Sequence, residues 1–185
     1  CYVGIDNFNA GLSAAKISEA MCRKGGQVLV IEPERMAQAQ IQRFNGFKHF
    51  FENRDEAQKL SFFTNDRTST LALAELLKFL KTETDIRVLY SPINDAFVER
   101  VIEAGKSEEA IGSLAKIVHD LSPHSIENLQ SGLIDLVLDS NPLKQVFQAL
   151  EFIANQHDYT SEMSMSAVDF QLYTSENLPR SEFPS

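Results

Sequence analysis

A chain of 185 residues is long enough for one substantial core or two small lobes. Its 43% hydrophobic and 23% charged residues are the balance of a globular domain, and with no run approaching 18 apolar residues neither a membrane span nor a secretion-type leader is expected. The net charge of −9, with Arg23-Lys24 as the longest basic cluster, repels a phosphate backbone, so this chain alone is not expected to grip DNA.

Strand and helix signals alternate along the chain. Tyr2 to Ile5 reads as a short apolar strand. Asp6-Asn7 can cap a helix over about Ala10 to Arg23, with Ala14, Ile17 and Met21 on one face, and Gly25-Gly26 stops it. Gln27 to Glu32 is a buried strand, and Pro33 precedes a polar helix that runs to about Phe51. Leu60 to Thr64 is a short strand. Leu73, Leu76, Leu77 and Leu80 repeat at helical spacing within Thr70 to Thr82. Strands over Ile86 to Tyr90, Leu114 to His119 and Leu133 to Leu138 alternate with helices over Ala96 to Ala104 and Ser125 to Gln130. Asn141-Pro142 opens a helix with the apolar stripe Leu143, Val146, Phe147, Leu150 and Ile153. A loop over about 155–162 leads to an alternating strand, Ala167 to Tyr173, and the tail from Leu178 is expected to fray. Such alternation predicts an α/β fold, a doubly wound parallel sheet with helices on both faces. Ligands then bind beyond the carboxyl ends of the strands, near Glu32, Tyr90, His119 and Leu138.

Most catalytic signatures are missing. There is no Gly-rich dinucleotide fingerprint, no phosphate loop and no nucleophile elbow. His49, His119, His124 and His157 have no metal-ligand spacing, so neither a metal nor a cofactor is expected. Ser13 and Lys16 match Ser-x-x-Lys, but the partner motifs of that acylating chemistry are absent and the spacing arises readily by chance. Cys1 and Cys22 fit a disulfide or a reducing compartment equally.

Five residues carry the chemistry of binding a small polar molecule. Arg43, flanked by Phe44 and Phe47, is either a surface residue or a forked donor for hydroxyls or a carboxylate. Asp120 is either a turn or cap residue or an acceptor for two vicinal hydroxyls. Ser91 and Asn94 follow the strand ending at Tyr90, and Asn94 is either a helix cap or a ligand contact. Ser140 has the same two readings ahead of Pro142. What unites them is placement after successive strands.

Five segments in order resemble the effector-binding core of LacI-type transcription regulators and the related periplasmic sugar-binding proteins. They are Val3 to Gly11, with its Asp-Asn and Ala-Gly; Arg43, Gly46 and Phe47 in an Arg-x-x-Gly-Phe pattern; Val118-His119-Asp120; Gly132 to Pro142; and Leu172 to Leu178 with Glu-Asn. The wording is similar to regulators of Bacteroidetes-type bacteria. The resemblance covers residues 2 to 178, and it implies that Arg43 and Asp120 bind sugar hydroxyls. The family often has Gln where Ser140 stands, and Asn-Asp or Thr-Asn where this chain has Ser91-Pro92-Ile93-Asn94-Asp95.

The resemblance further implies an effector-binding core fragment over 1–178, mostly one lobe, with 179–185 a flexible tail. Residues 1–5 and about 141–156 would belong to the other lobe. A DNA-binding domain would lie upstream, outside this chain. Expected partners are a carbohydrate effector, DNA through that missing domain, and a second copy in a homodimer, with no membrane. The expected location is cytoplasmic and no reaction is catalysed. The alternative is a periplasmic sugar-binding protein of a transport or chemosensing system.

Overall fold

The computed structural model describes residues 2–22, 26–33, 35–52, 59–65, 71–155 and 168–179. Six strands form one sheet in the order β2-β1-β3-β4-β5-β6. These are β1 (Gln27–Pro33), β2 (Lys59–Asn65), β3 (Ile86–Tyr90), β4 (Ala115–His119), β5 (Leu136–Asp139) and β6 (Gln171–Tyr173). The first five run parallel and β6 closes the edge antiparallel to β5. The helices are α1 (Asn7–Cys22), α2 (Gln38–Glu52), α3 (Ala72–Thr82), α4 (Ala96–Ala104), α5 (Glu109–Gly112), α6 (Pro123–Gln130) and α7 (Pro142–Asn155).

Successive strand residues point to opposite faces, and both faces are covered, as the alternation of elements predicts. Val28, Val30, Val88, Tyr90, Ile117, Leu136 and Leu138 pack with Ala14, Ala15 and Cys22 of α1 and Phe47 of α2. Leu29, Ile31, Leu89, Val118 and Val137 pack with Leu76 and Leu80 of α3, Val98 and Val101 of α4, Ile111 of α5 and Leu129 of α6. β1 lies between β2 and β3, so the strand order reverses there. In open α/β sheets that reversal opens a crevice at the carboxyl ends of the strands.

Several boundaries differ from the sequence reading, each for a local reason. Tyr2 to Ile5 is not a strand of the sheet; Ile5 makes one isolated parallel bridge to Val168. α1 begins earlier, at Asn7, because the Asp6 carboxylate accepts from the Asn9 amide at 2.9 Å. Leu133 and Ile134 close α6 instead of opening β5: their amides both donate to the Asn128 carbonyl, at 2.8 and 3.1 Å, past Gly132 at φ 74°, and Asp135, whose amide donates to the Lys116 carbonyl at 3.0 Å, leads into β5. The expected strand to Tyr173 is only three residues long. α5 is a single turn with no signal of its own in the sequence. The expected loop over 156–162, Cys1, and the tail from Arg180 lie outside the described residues; Cys22 is a buried free thiol.

α7 stands apart from this packing. Leu143, Val146, Phe147, Leu150 and Ile153 are 55–73% exposed, although they form the apolar stripe of the helix. Among the described residues no helix is long and apolar enough to cross a membrane.

Candidate ligand-binding site

The site begins with two glycines. α1 and α2 cross so closely that a Cβ on Gly11 would strike the carbonyl oxygen of Arg43, and one on Gly46 would strike that of Phe8. Only glycine permits this approach from both sides. It places Arg43, one turn before Phe47, beside Asn7 at the start of α1. Small residues carry the rest of the buried face of α1 (Ala10, Ala14, Ala15 and Ser18), while Ile17 and Met21 are only partly buried.

Arg43 is 4% exposed and held from three directions. Its Nε donates to Asn7 Oδ1 at 2.9 Å. Nη1 donates to the Pro92 carbonyl at 3.3 Å and to Asp120 Oδ2 at 2.9 Å, and Nη2 donates to Asp120 Oδ1 at 3.1 Å. The fork matches the carboxylate in the bidentate geometry that guanidinium groups favour. Asn7 is itself fixed, donating from Nδ2 to the Tyr2 hydroxyl at 3.0 Å.

Asp120 stands in the left-handed region at φ 68°, directly after β4. Aspartate tolerates this conformation better than most residues, at a cost on the order of 1 kcal/mol. Its amide is anchored to the Leu138 carbonyl at 2.8 Å. It is not the cap of α6, a role taken by Ser122 in a capping box with Ser125. The Asp120 side chain is 46% exposed, so the carboxylate faces Arg43 on one side and solvent on the other.

The loop after β3 offers a second acceptor. Asp95 caps α4, accepting from the amides of Phe97 and Val98 at 3.1 and 3.0 Å. Asn94 is therefore not the cap, and its Oδ1 is buried with no hydrogen-bond partner among the described residues. A buried orphan acceptor costs about 1–3 kcal/mol. Ser91 is fully buried, its amide bonded to Ile117 O at 3.0 Å and its hydroxyl accepting weakly from the Ile93 amide at 3.5 Å. It shapes the loop.

Ser140 is half-buried after β5, and its carbonyl accepts from Gln145 Nε2 at 2.5 Å. The carboxylate before it ties two loops together: Asp139 accepts from the Leu121 amide and from the Asn141 amide, both at 2.9 Å. Arg43, Asp120 and the loop holding Asn94 are thus in direct contact, while Ser140 is linked to them through the residues before it, Leu138 accepting from the Asp120 amide and Asp139 from the Leu121 amide.

Beneath the ion pair lies a buried layer that sequence reasoning did not single out. Tyr90 stacks on Phe47 with ring centroids 3.8 Å apart. Its hydroxyl hydrogen-bonds His119 Nε2 at 3.1 Å, with the donor set by the imidazole tautomer. Burial, then the nearby Arg43 charge, holds the His119 pKa well below the ordinary histidine value. Burial likewise pushes the Tyr90 phenol up, against the Arg43 charge and with that of Asp120. Both rings are neutral when folded. Among the described residues no three His, Cys, Asp or Glu side chains could hold a metal ion.

Residues 1–159 match the periplasmic binding protein domain. The chain belongs to that family. Solved structures agree with this binding-protein fold. GanP, a glucose-galactose binding protein from Geobacillus stearothermophilus, is 20% identical with a TM-score of 0.73, over 97% of this chain and 64% of its own. A periplasmic solute binding protein of an ABC transporter from Actinobacillus succinogenes 130z, with bound D-allose, is 27% identical with a TM-score of 0.74, over 95% and 61%. A putative LacI transcriptional regulator from Bacteroides fragilis is 16% identical with a TM-score of 0.76, over 96% and 62%. The chain thus spans 61–64% of the length of these binding-protein relatives. A comparison with curated proteins finds no match.

Proposed function

We propose that this chain is the larger part of a sugar-binding core from a LacI-type transcription regulator. The observation that carries the binding reading is the forked Arg43–Asp120 pair at the carboxyl ends of the parallel strands, held also by the Pro92 carbonyl of the loop after β3. Vicinal hydroxyls suit such a site because they donate and accept at once, and the rings of a sugar need few charged contacts. The D-allose and glucose-galactose binding proteins among the structural relatives support a carbohydrate ligand.

The regulator reading rests on the ordered motifs and is supported by the similarity to the Bacteroides fragilis protein. On this reading the protein catalyses nothing. Residues 1–5 and about 141–156 belong to a second lobe, whose closure on the sugar shifts the population of a cytoplasmic homodimer with altered DNA affinity. The bare apolar stripe of α7 supports that assignment of lobes. DNA would be gripped by a further domain, since the net charge of −9 opposes contact by this part. The second reading, a periplasmic receptor for transport or chemosensing, is favoured by the transport proteins among the relatives.

The residues encoded upstream of Cys1 decide between them. A basic helix-turn-helix establishes the regulator, and a signal peptide establishes the receptor. Titration of the full-length protein with D-allose, D-glucose, D-galactose and L-arabinose tests the ligand class itself.

A further inference from the structure

Asp139 is buried at the end of β5, one residue ahead of Ser140. Each of its carboxylate oxygens accepts a backbone amide at 2.9 Å, Oδ1 from Leu121 and Oδ2 from Asn141. A carboxylate suits that task because both of its oxygens accept; asparagine would turn a donor toward one of the two amides. Leu121 follows Asp120, so its amide belongs to the peptide that fixes the Asp120 backbone on the carboxyl side. The peptide on the amino side is held by the same strand, through the Leu138 carbonyl at 2.8 Å.

Asp120 and Asn141 are also the two non-glycine residues with positive φ among the described residues, at 68° and 54°. Side chains rarely adopt this left-handed backbone, and it persists where the surroundings hold it from several sides. One carboxylate reaches both places: the peptide after Asp120 and the peptide before Asn141. The first sets where the Asp120 side chain points, toward the Arg43 fork on one side and solvent on the other. The second leads directly into α7 at Pro142.

We infer that Asp139 is a positioning residue of the ligand site: it aims the Asp120 carboxylate and ties that aim to the segment entering α7. Losing the Leu121 bond frees the peptide after Asp120, and the acceptor then drifts from the fork of Arg43. This role rests on the sugar-binding reading above, and the experiment separates the two.

The test is calorimetric titration of the full-length protein with D-allose, D-glucose, D-galactose and L-arabinose, at a temperature where melting curves show every variant folded. Asp139→Asn should weaken the best-bound sugar by about tenfold, and Asp139→Ala by more. Where Asp139→Asn does not fold, Asp139→Ser, whose hydroxyl accepts one amide, takes its place. A double-mutant cycle with Asp120→Asn, which tolerates the left-handed backbone, separates aiming from mere stability. In that background the loss caused by Asp139→Asn should shrink by about threefold or more, because the carboxylate to be aimed is gone. In the unmodified protein, bound sugar should slow exchange of the Leu121 and Asn141 amides together. Unchanged affinity in the Asp139 variants, or an equal loss in both backgrounds, overturns the positioning role and leaves sugar binding standing. Slowing at Leu121 without Asn141 overturns the tie to α7. Binding of no sugar by the unmodified protein overturns the proposed function, and this role of Asp139 with it.

Discussion

Arg43 and Asp120 show how two residues with bland local readings gain a role only together. Each alone passes for a surface or turn residue, yet the fold brings them from 77 positions apart into a bidentate pair. Charge alone does not hold that arrangement, because the planar fork also spans Asn7 and the Pro92 carbonyl. Arg43→Lys keeps the charge and loses the fork. It should weaken sugar binding by about 10- to 150-fold, corresponding to roughly 1.5–3 kcal/mol for a hydrogen bond to a charged group. Titration of the full-length protein with its best neutral sugar checks this, and an unchanged affinity would remove Arg43 from the site. His119 gives a second prediction at this scale. Its folded-state pKa lies well below 6.5 because burial and Arg43 oppose its charge. The unfolded chain therefore binds a proton that the folded chain refuses as the pH falls below 6.5. The stability tied to neutral His119 is present at pH 7 and declines toward acid by up to about 1.4 kcal/mol per pH unit. His119→Phe lacks this dependence but leaves the Tyr90 hydroxyl without its partner, at about 1–3 kcal/mol. The stability gap between the two proteins should shrink between pH 7 and pH 5 in urea melts. A gap that stays constant with pH would mean that His119 takes up its proton over the same range in the folded and unfolded chains.

Among the elements, the crossing of α1 and α2 matters most for the site. Gly11 and Gly46 let two backbones meet, and that contact sets the distance from Arg43 to Asn7. Gly46→Ala should cost about 1–3 kcal/mol by forcing the helices apart and should weaken sugar binding as Arg43 withdraws. A melt and a titration on one sample check both, and normal binding with normal stability would mean that the crossing tolerates a methyl group. These glycines also show where sequence reading stops. The strand-helix alternation was legible because buried strands such as Gln27 to Glu32 are apolar runs, and α3 has a clean leucine repeat. Asp120 and Asn94 stood out because loops after parallel strands are where ligands bind, and Arg43, inside α2, because of the aromatic residues flanking it and the Arg-x-x-Gly-Phe pattern. The Gly11–Gly46 contact was not, since a tight crossing is a property of two helices, and each glycine by itself reads as a helix opener or a weak spot. Asn7 was visible as part of an Asp-Asn cap, but its hold on Arg43 spans 36 positions. Tyr90 and His119 looked like ordinary strand ends, because a hydrogen bond between neighbouring strands leaves no periodic signal. α5 has one turn, too short for any period. The strand was overestimated at Leu133 and Ile134, apolar residues that the α6 terminus claims first.

At the scale of the whole molecule, α7 is the feature the rest of the fold does not explain. Fourteen residues form a helix of whose six large apolar side chains five stay mostly in solvent. Burying them would contribute on the order of 10 kcal/mol at about 2 kcal/mol each, which is comparable to the stability of a domain. A helix of this length is marginal in water without a packed face. Its amides should therefore exchange with solvent much faster in this chain than those of β3 and β4, which are enclosed on both faces of the sheet. In the full-length protein the proposed second lobe would cover the stripe, and α7 should then exchange as slowly as the sheet. Hydrogen exchange on the two proteins compares these states directly. Slow exchange of α7 in this chain at high concentration, turning fast on dilution, would instead assign the stripe to contact between copies. Equal, fast exchange in both proteins would leave α7 outside any lobe and break the argument that residues 141–156 complete one.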